Sequence, residues 1–357
     1  MSKWAHLKDF RIMRLNAAMY PIGAVEESCY RRYGLKPLQV EATTPEEIIP
    51  HVATCDAVLV IAAALPLPVV DALERCRMIS RLGNGTDKID VAAAAERGIV
   101  VSNAPFFCVE EMSDHIMALL LALARRLPWM EQYMRAGNFP QARKESTAIQ
   151  RLSHCTLGIV GFGATGELVA RRAQGFGLRV LATRKNMQAP TASADALGVE
   201  MVDLDTLLQQ SDYVSLQLPL NDATYHLFDE ATLRKMKPGS FLINTSRGAL
   251  VDEDALVRLL RTGHLAGAGL DTYEGIDVFI EAVKPPLHPL MELDNVILTS
   301  HVSAHSVQSV VDVSTTGIQN LVAILSGYWP APENIVNKGV IPRFPLRDHD
   351  PALFEDV

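Results

Sequence analysis

Residues Gly161-Phe162-Gly163-Ala164-Thr165-Gly166 stand directly between an apolar run, Leu157 to Val160, and a stretch with helical spacing, Glu167 to Ala173. Spaced glycines alone mark only a tight turn. Between a buried strand and a helix they impose more: Gly161 permits the turn, Gly163 lets backbone approach a phosphate, and Gly166 lets the helix close onto the strand. The N–H groups and positive dipole end of the first helical turn then face an anion. With Ala164 and Thr165, these glycines are expected to hold the pyrophosphate of a dinucleotide.

The loop sits inside a longer alternation. Short β-branched runs at 11–15, 38–41, 56–61, 78–81 and 99–102 are separated by helical stretches, among them Pro45 to Val52 and Pro68 to Arg75, where proline near the helix start does no harm. A second series follows the polar stretch 138–153, with strands at 156–160, 179–183, 213–217, 241–244, 266–270 and 296–299. Continuous apolar strands between helices predict parallel sheets covered on both faces. The fold class is therefore α/β with two doubly wound parallel-sheet domains. At 357 residues the chain also exceeds what one ordinary core holds. The first domain is expected over 1–104, with 303–357 returning to it, and the second over 105–302. A helical pattern from Val109 to about Ala136 is apolar on nearly every face and must be buried, in its own domain or against a second subunit. A homodimer is expected. The tail from Pro342 to Val357, polar and proline-punctuated, is expected to be mobile.

Composition narrows the partners. Hydrophobic residues make up 48% and charged residues 21%, enough to build sizeable cores. A formal net charge of -8 argues against nucleic acid, which needs a basic face, and in favour of a small-molecule substrate. The five cysteines are scattered and form no C-x-x-C pair, so free thiols in a reducing, cytoplasmic setting are expected and no metal site is indicated. Residues 1–10 lack the apolar core of a signal peptide. The longest uncharged apolar run, Ala57 to Val70, is too short to span a bilayer, so no membrane association is expected.

Dinucleotide folds that select NAD usually carry an acid at the end of the second strand, to bind the ribose 2′-OH. Here that place reads Thr183-Arg184-Lys185. A guanidinium there can pair with a 2′-phosphate. NADP is expected, with NAD the alternative if both cations are simply solvated loop residues.

Several further stretches carry a resemblance: Arg81 to Asp90, Arg97 to Pro105, Leu218-Pro219-Leu220, Lys237 to Gly248, Gly269 to Glu274 and Asn295 to His301. With the glycine loop, and in this order, they resemble the D-isomer-specific 2-hydroxyacid dehydrogenases, a family that includes phosphoglycerate, D-lactate and formate dehydrogenases, glyoxylate/hydroxypyruvate reductases and the C-terminal-binding corepressors. The likeness runs from about Ala53 to Trp329. It implies a Rossmann cofactor domain inserted in a flavodoxin-like substrate domain, and an NAD(P)-dependent oxidoreductase that interconverts a D-2-hydroxy acid and a 2-keto acid. By the resemblance, Arg247 binds the substrate's carboxylate and carbonyl, and His301 gives a proton to the carbonyl oxygen. The chemistry agrees, since a 2-keto acid calls for a bidentate cation and a proton donor poised near neutral pH. Asn84 and Gly85 correspond to the turn that meets the substrate carboxylate. Asp271 corresponds to a residue near the nicotinamide carboxamide, and Leu218, Pro219, Thr224 and Thr245 to the cofactor walls, with His301 and Ser303 also facing the cofactor.

The chain departs from the family at one catalytic position. Where relatives carry a glutamate that pairs with the histidine and raises its pKa, this sequence has Ile276. Asp277 is the acid expected to replace it, with Glu274 the alternative and Glu281 a further candidate. Otherwise the histidine works unpaired, or the protein has another role: a net elimination or hydrolysis with transient use of cofactor, or cofactor sensing like the corepressors. His305 follows His301 by one turn if a helix has begun there. The run Ala62-Ala63-Ala64-Leu65 replaces polar residues of many relatives, which places Ala63 in an apolar lip suited to a substrate with an apolar substituent.

Overall fold

The computed structural model describes residues 3–16, 22–276, 278 and 288–354. The chain divides into two compact units, one formed by Met1–Phe107 with Ser306–Val357 and the other by Cys108–His305.

The first unit holds β1 (Ile12–Leu15), β2 (Leu38–Val40), β3 (Ala57–Val60), β4 (Met78–Arg81) and β5 (Val100–Ser102), ordered β2-β1-β3-β4-β5 with every pairing parallel. Alternation within each run decides which face a side chain covers. Met13, Leu15, Val58, Val60, Ile79 and Val101 pack with Ile48, Val52, Val69 and Val70 from helices on one side. Ile12, Ala57, Leu59, Met78 and Val100 pack with Ile318, Leu321, Val322 and Leu325 on the other. Those last residues belong to the helix Val307–Leu325, which starts at the N-cap Ser306 and leaves His305 exposed ahead of it. Helix Pro45–Val52 is closed by a capping box, with Thr44 accepting from the Glu47 amide and Glu47 accepting from the Thr44 amide.

The tail, expected from its composition to be loose, is tied to the rest of its unit at Arg343 and Phe354. Arg343 donates to the carbonyls of Leu73, Glu74 and Arg97, and Phe354 stacks on Trp4 with ring centroids 6.1 Å apart. A polar, proline-rich segment whose regular structure is one 3-10 turn, Pro351–Phe354, among the described residues is held here by side chains that find partners elsewhere in the unit.

The second unit holds β6 (Thr156–Val160), β7 (Arg179–Thr183), β8 (Glu200–Met201), β9 (Tyr213–Leu216), β10 (Ser240–Asn244), β11 (Leu265–Leu270) and β12 (Val296–Leu298). Their order is β12-β11-β10-β9-β6-β7-β8, again all parallel. The long apolar pattern after Val109 forms two helices, Val109–Ala124 and Leu127–Arg135, rather than one. Arg126 breaks it by adopting a left-handed conformation at φ 53°, with its guanidinium on Glu145 and over the Trp129 ring. The first helix buries Ile116, Met117, Leu119, Leu120 and Leu123 within its own unit, where Gly269 of β11 lets Leu119 and Leu123 approach the sheet. The stretch 138–153, read from sequence as polar connection, contains the helix Phe139–Glu145. No helix among the described residues is long and apolar enough to cross a membrane.

Candidate active site

In a doubly wound sheet, ligands bind beyond the carboxyl ends of the strands where the strand order reverses. In the second unit that point lies between β6 and β9. Gly161 leaves β6 with φ 105°, and a Cβ on it would sit 2.3 Å from the Gln217 carbonyl oxygen after β9. Only glycine allows the two backbones to meet this way. A Cβ on Gly166 would lie 2.6 Å from the Gly161 oxygen, so the helix Ala164–Gly175 seats tightly on its strand. Around Gly163, in contrast, nothing lies within 4 Å of where a Cβ would point. That open space stands over the first helical turn, which includes Ala164 and Thr165. The side wall is formed by Leu218 and Pro219 past β9, where Thr224 Oγ1 donates to the Pro219 carbonyl at 2.7 Å and accepts from the Asn221 amide at 2.9 Å. At the end of β10 the buried Thr245 hydroxyl has no hydrogen-bond partner among the described residues. A tight floor, open space beside Gly163 at a helix N-terminus and a buried hydroxyl without a partner among the described residues together fit a dinucleotide.

Beyond β7, Arg184 donates through Nη2 to the Ala189 and Pro190 carbonyls, at 2.5 and 2.9 Å. Its buried Nε has no partner among the described residues, and Lys185 beside it is exposed. The guanidinium is thus held at the strand end rather than extended into solvent.

Arg247 and His301 both follow strands of this same sheet. Arg247 comes after β10, where the buried Asn244 side chain accepts from the Ser246 amide at 3.0 Å and donates to the Arg247 carbonyl at 2.8 Å. Ser246 in turn donates through Oγ to Leu216 at 2.7 Å, fastening the turn to β9. Immediately after it, Gly248 lies so close to the backbone of Tyr273 that a Cβ would be 1.9 Å from its carbonyl carbon.

His301 has φ 56°, a conformation that costs a non-glycine residue energy and needs support. Asp271, fully buried at the end of β11, supplies it. Its carboxylate accepts from the amides of Val302 at 3.0 Å and Ser303 at 2.9 Å, and its carbonyl accepts from the His301 amide at 2.9 Å. The Tyr273 hydroxyl donates to the carbonyls of Leu270 and Thr299, and burial, followed by the nearby Asp271 charge, raises its pKa and keeps it protonated. Asp271, expected from sequence at the cofactor carboxamide, is therefore also the anchor of the histidine turn.

Of the acids considered as partners for His301, Glu274 is engaged elsewhere. Its carboxylate accepts from the Tyr225 hydroxyl at 3.0 Å and binds His226 Nε2 at 2.7 Å, while its amide donates to Glu253 at 2.8 Å. Glu253 also pairs with His288 at 2.9 Å. Asp277 and Glu281 lie outside the described residues.

In the first unit, Ala63 follows β3 and its amide donates to the Asn16 side chain at 2.8 Å. Asn16, buried with φ 59° at the end of β1, also donates to the Ala42 carbonyl at 3.1 Å. It therefore spans the point where this sheet reverses. Asn84 and Gly85 follow β4 in a turn held by Arg81, whose Nε donates to the Gly85 carbonyl at 3.0 Å. Asn103 donates to the Asn84 carbonyl at 2.7 Å, and its own carbonyl accepts from Asn320.

A family model described as the D-isomer specific 2-hydroxyacid dehydrogenase NAD binding domain matches residues 117–303. A glyoxylate reductase of Korarchaeum cryptofilum is 38% identical over 300 residues, covering 82% of this chain and 86% of that protein. The chain belongs to the D-isomer specific 2-hydroxyacid dehydrogenase family. A D-lactate dehydrogenase of Aquifex aeolicus, solved with NAD and lactic acid, superposes with a TM-score of 0.82 at 26% identity over 92% of this chain and 99% of that one. An acyclic imino acid reductase solved with NADPH and D-Arg gives 0.78 at 25% identity over 91% and 99%. The chain is thus a D-2-hydroxyacid dehydrogenase-like enzyme with a nicotinamide-cofactor domain.

In this dehydrogenase, sequence reasoning found the residues at strand ends and missed what holds them. Asn16, Asn103 and Asn244 each secure a turn that carries a predicted site residue. Their one sequence signal is position, at the last residue of a parallel strand or directly after it, where an asparagine side chain can bond backbone on either side. His115 and Thr299, whose side chains meet Asp271, were also missed and carry no local signal at all.

Proposed function

We propose that this dehydrogenase reduces a 2-keto acid to a D-2-hydroxy acid. The reading rests on one observation: Arg247 and His301 leave β10 and β12 at the carboxyl edge of one parallel sheet, each in a turn secured by a buried polar side chain. Arg247 binds the substrate carboxylate through its planar fork and orients the carbonyl. His301 holds the proton that passes to the carbonyl oxygen. Bound at Gly161–Gly166, Leu218, Pro219, Thr224 and Thr245, the nicotinamide cofactor supplies the hydride. The Ala62-Ala63-Ala64-Leu65 run selects an apolar substituent on the substrate. The enzyme works as a homodimer in the cytoplasm. Incubating the protein with NADPH and a series from glyoxylate to alkyl- and aryl-substituted 2-keto acids should consume the reduced cofactor, seen as loss of its near-ultraviolet absorbance. Tight cofactor binding with no turnover across that series would sink the assignment.

NADP(H) is the proposed cofactor, because Arg184 and Lys185 stand where an acid would select NAD. Replacing both by serine removes the charge-assisted contacts to a 2′-phosphate. The KM for NADPH should rise about tenfold, corresponding to about 1.4 kcal/mol, while the KM for NADH changes little. An equal change for both cofactors would show that these cations do not read the 2′ position.

A further inference from the structure

The helix Val109–Ala124 contributes one polar side chain to the turn that carries His301. His115 Nε2 lies 3.0 Å from Thr299 Oγ1 and 3.8 Å from Asp271 Oδ1, and Thr299 Oγ1 lies 2.5 Å from the same carboxylate oxygen. The direction of these hydrogen bonds follows from the proton inventory. A threonine hydroxyl has one hydrogen, and a carboxylate can only accept. Thr299 therefore donates to Asp271, and its oxygen accepts from His115, which must carry its hydrogen on Nε2. A chain runs from His115 through Thr299 to Asp271, and the Asp271 carboxylate then receives the amides of Val302 and Ser303 on either side of its task of holding His301.

We propose that His115 is a positioning residue for the reduction: it orients the Thr299 hydroxyl, which fixes the buried Asp271 carboxylate and so the left-handed turn that presents His301. This rests on His301 being the proton donor. Without His115, the Thr299 hydroxyl loses the donor that sets its rotamer, and Asp271 can swing away from one of the two amides. The imidazole of His301 then samples more orientations, and reaction rates fall steeply with small misplacements of a reacting group. Substrate binding through Arg247 does not pass through this chain, since that turn is held by Asn244 and Ser246.

The test compares His115→Ala, His115→Gln, Thr299→Val and Thr299→Ser with the parent enzyme. Glutamine places an N–H donor near the position of the histidine Nε2, and serine keeps the hydroxyl. The alanine and valine variants should lose about tenfold in kcat, with the KM values for keto acid and cofactor within about twofold of the parent. Glutamine and serine should restore most of the loss. The double variant His115→Ala/Thr299→Val should be no slower than either single one, because both cut the same chain. Parent-like kcat in both alanine and valine variants overturns the proposal, as does a loss in His115→Ala that glutamine does not repair. His301→Gln, measured alongside, separates the two ideas: if it collapses turnover while His115→Ala does not, only the positioning role fails. If His301→Gln retains full turnover, the proton-donor reading fails, and this proposal with it.

Discussion

His301→Gln is expected to lower kcat by about 10²–10⁴-fold, the usual contribution of a positioned general acid, while leaving cofactor affinity near that of the parent. Glutamine has comparable reach and can still hydrogen-bond a carbonyl oxygen, but it cannot give up a proton near neutral pH. The backbone turn is unaffected in principle, because Asp271 holds it through the amides of residues 301–303 and not through the imidazole. Steady-state rates with a 2-keto acid, together with NADPH titration followed by fluorescence, check both halves. A glutamine variant that turns over at the parental rate would remove His301 from the mechanism.

Gly248→Ala should produce the largest loss of stability. Its added Cβ would stand 1.9 Å from the carbonyl carbon of Tyr273, 2.2 Å from the Glu274 nitrogen and 2.4 Å from the Tyr273 oxygen. All three are backbone atoms. The segment cannot retreat easily, since the Tyr273 hydroxyl is tied to Leu270 and Thr299 and the Glu274 amide to Glu253. Overpacking against yielding side chains costs about 1–3 kcal/mol, and fixed backbone places this case at about 3 kcal/mol or more. For a unit of this size that corresponds to a fall in Tm of about 6–12 °C. Gly163→Ala is the contrasting variant: its methyl meets nothing within 4 Å, so Tm should stay within about 1 °C, since no packing is disturbed, while cofactor affinity falls. Thermal unfolding of the two proteins side by side decides the matter, and an unchanged Tm for Gly248→Ala would mean the turn bearing Arg247 tolerates displacement.

The strands were legible because a parallel strand buried on both faces must be a nearly unbroken apolar run, and such runs stand out between helical stretches. The edges shifted by a residue or so, as at β1 and β3, and the short β8 has too little apolar content to signal itself. Arg126 was not legible. Proline at 128 is compatible with a helix start, and the apolar pattern continues across it, so only the tertiary partners Glu145 and Trp129 reveal the break. The same division holds at the site. Arg247 and His301 reveal themselves by type and by their place after strands. The groups that orient them are brought in from distant parts of the chain, as His115 is to Thr299, and no local spacing encodes that meeting.

The interruption of one unit by the other has a consequence for biosynthesis. Strands β1–β5 leave the ribosome before the second unit, yet one apolar face of their sheet is covered by Ile318, Leu321, Val322 and Leu325, which are made only after it. The continuous unit 108–305 has all its own core residues by then and can fold while synthesis goes on. The opening segment must wait with that face bare, which makes it the part of the nascent protein most in need of a chaperone.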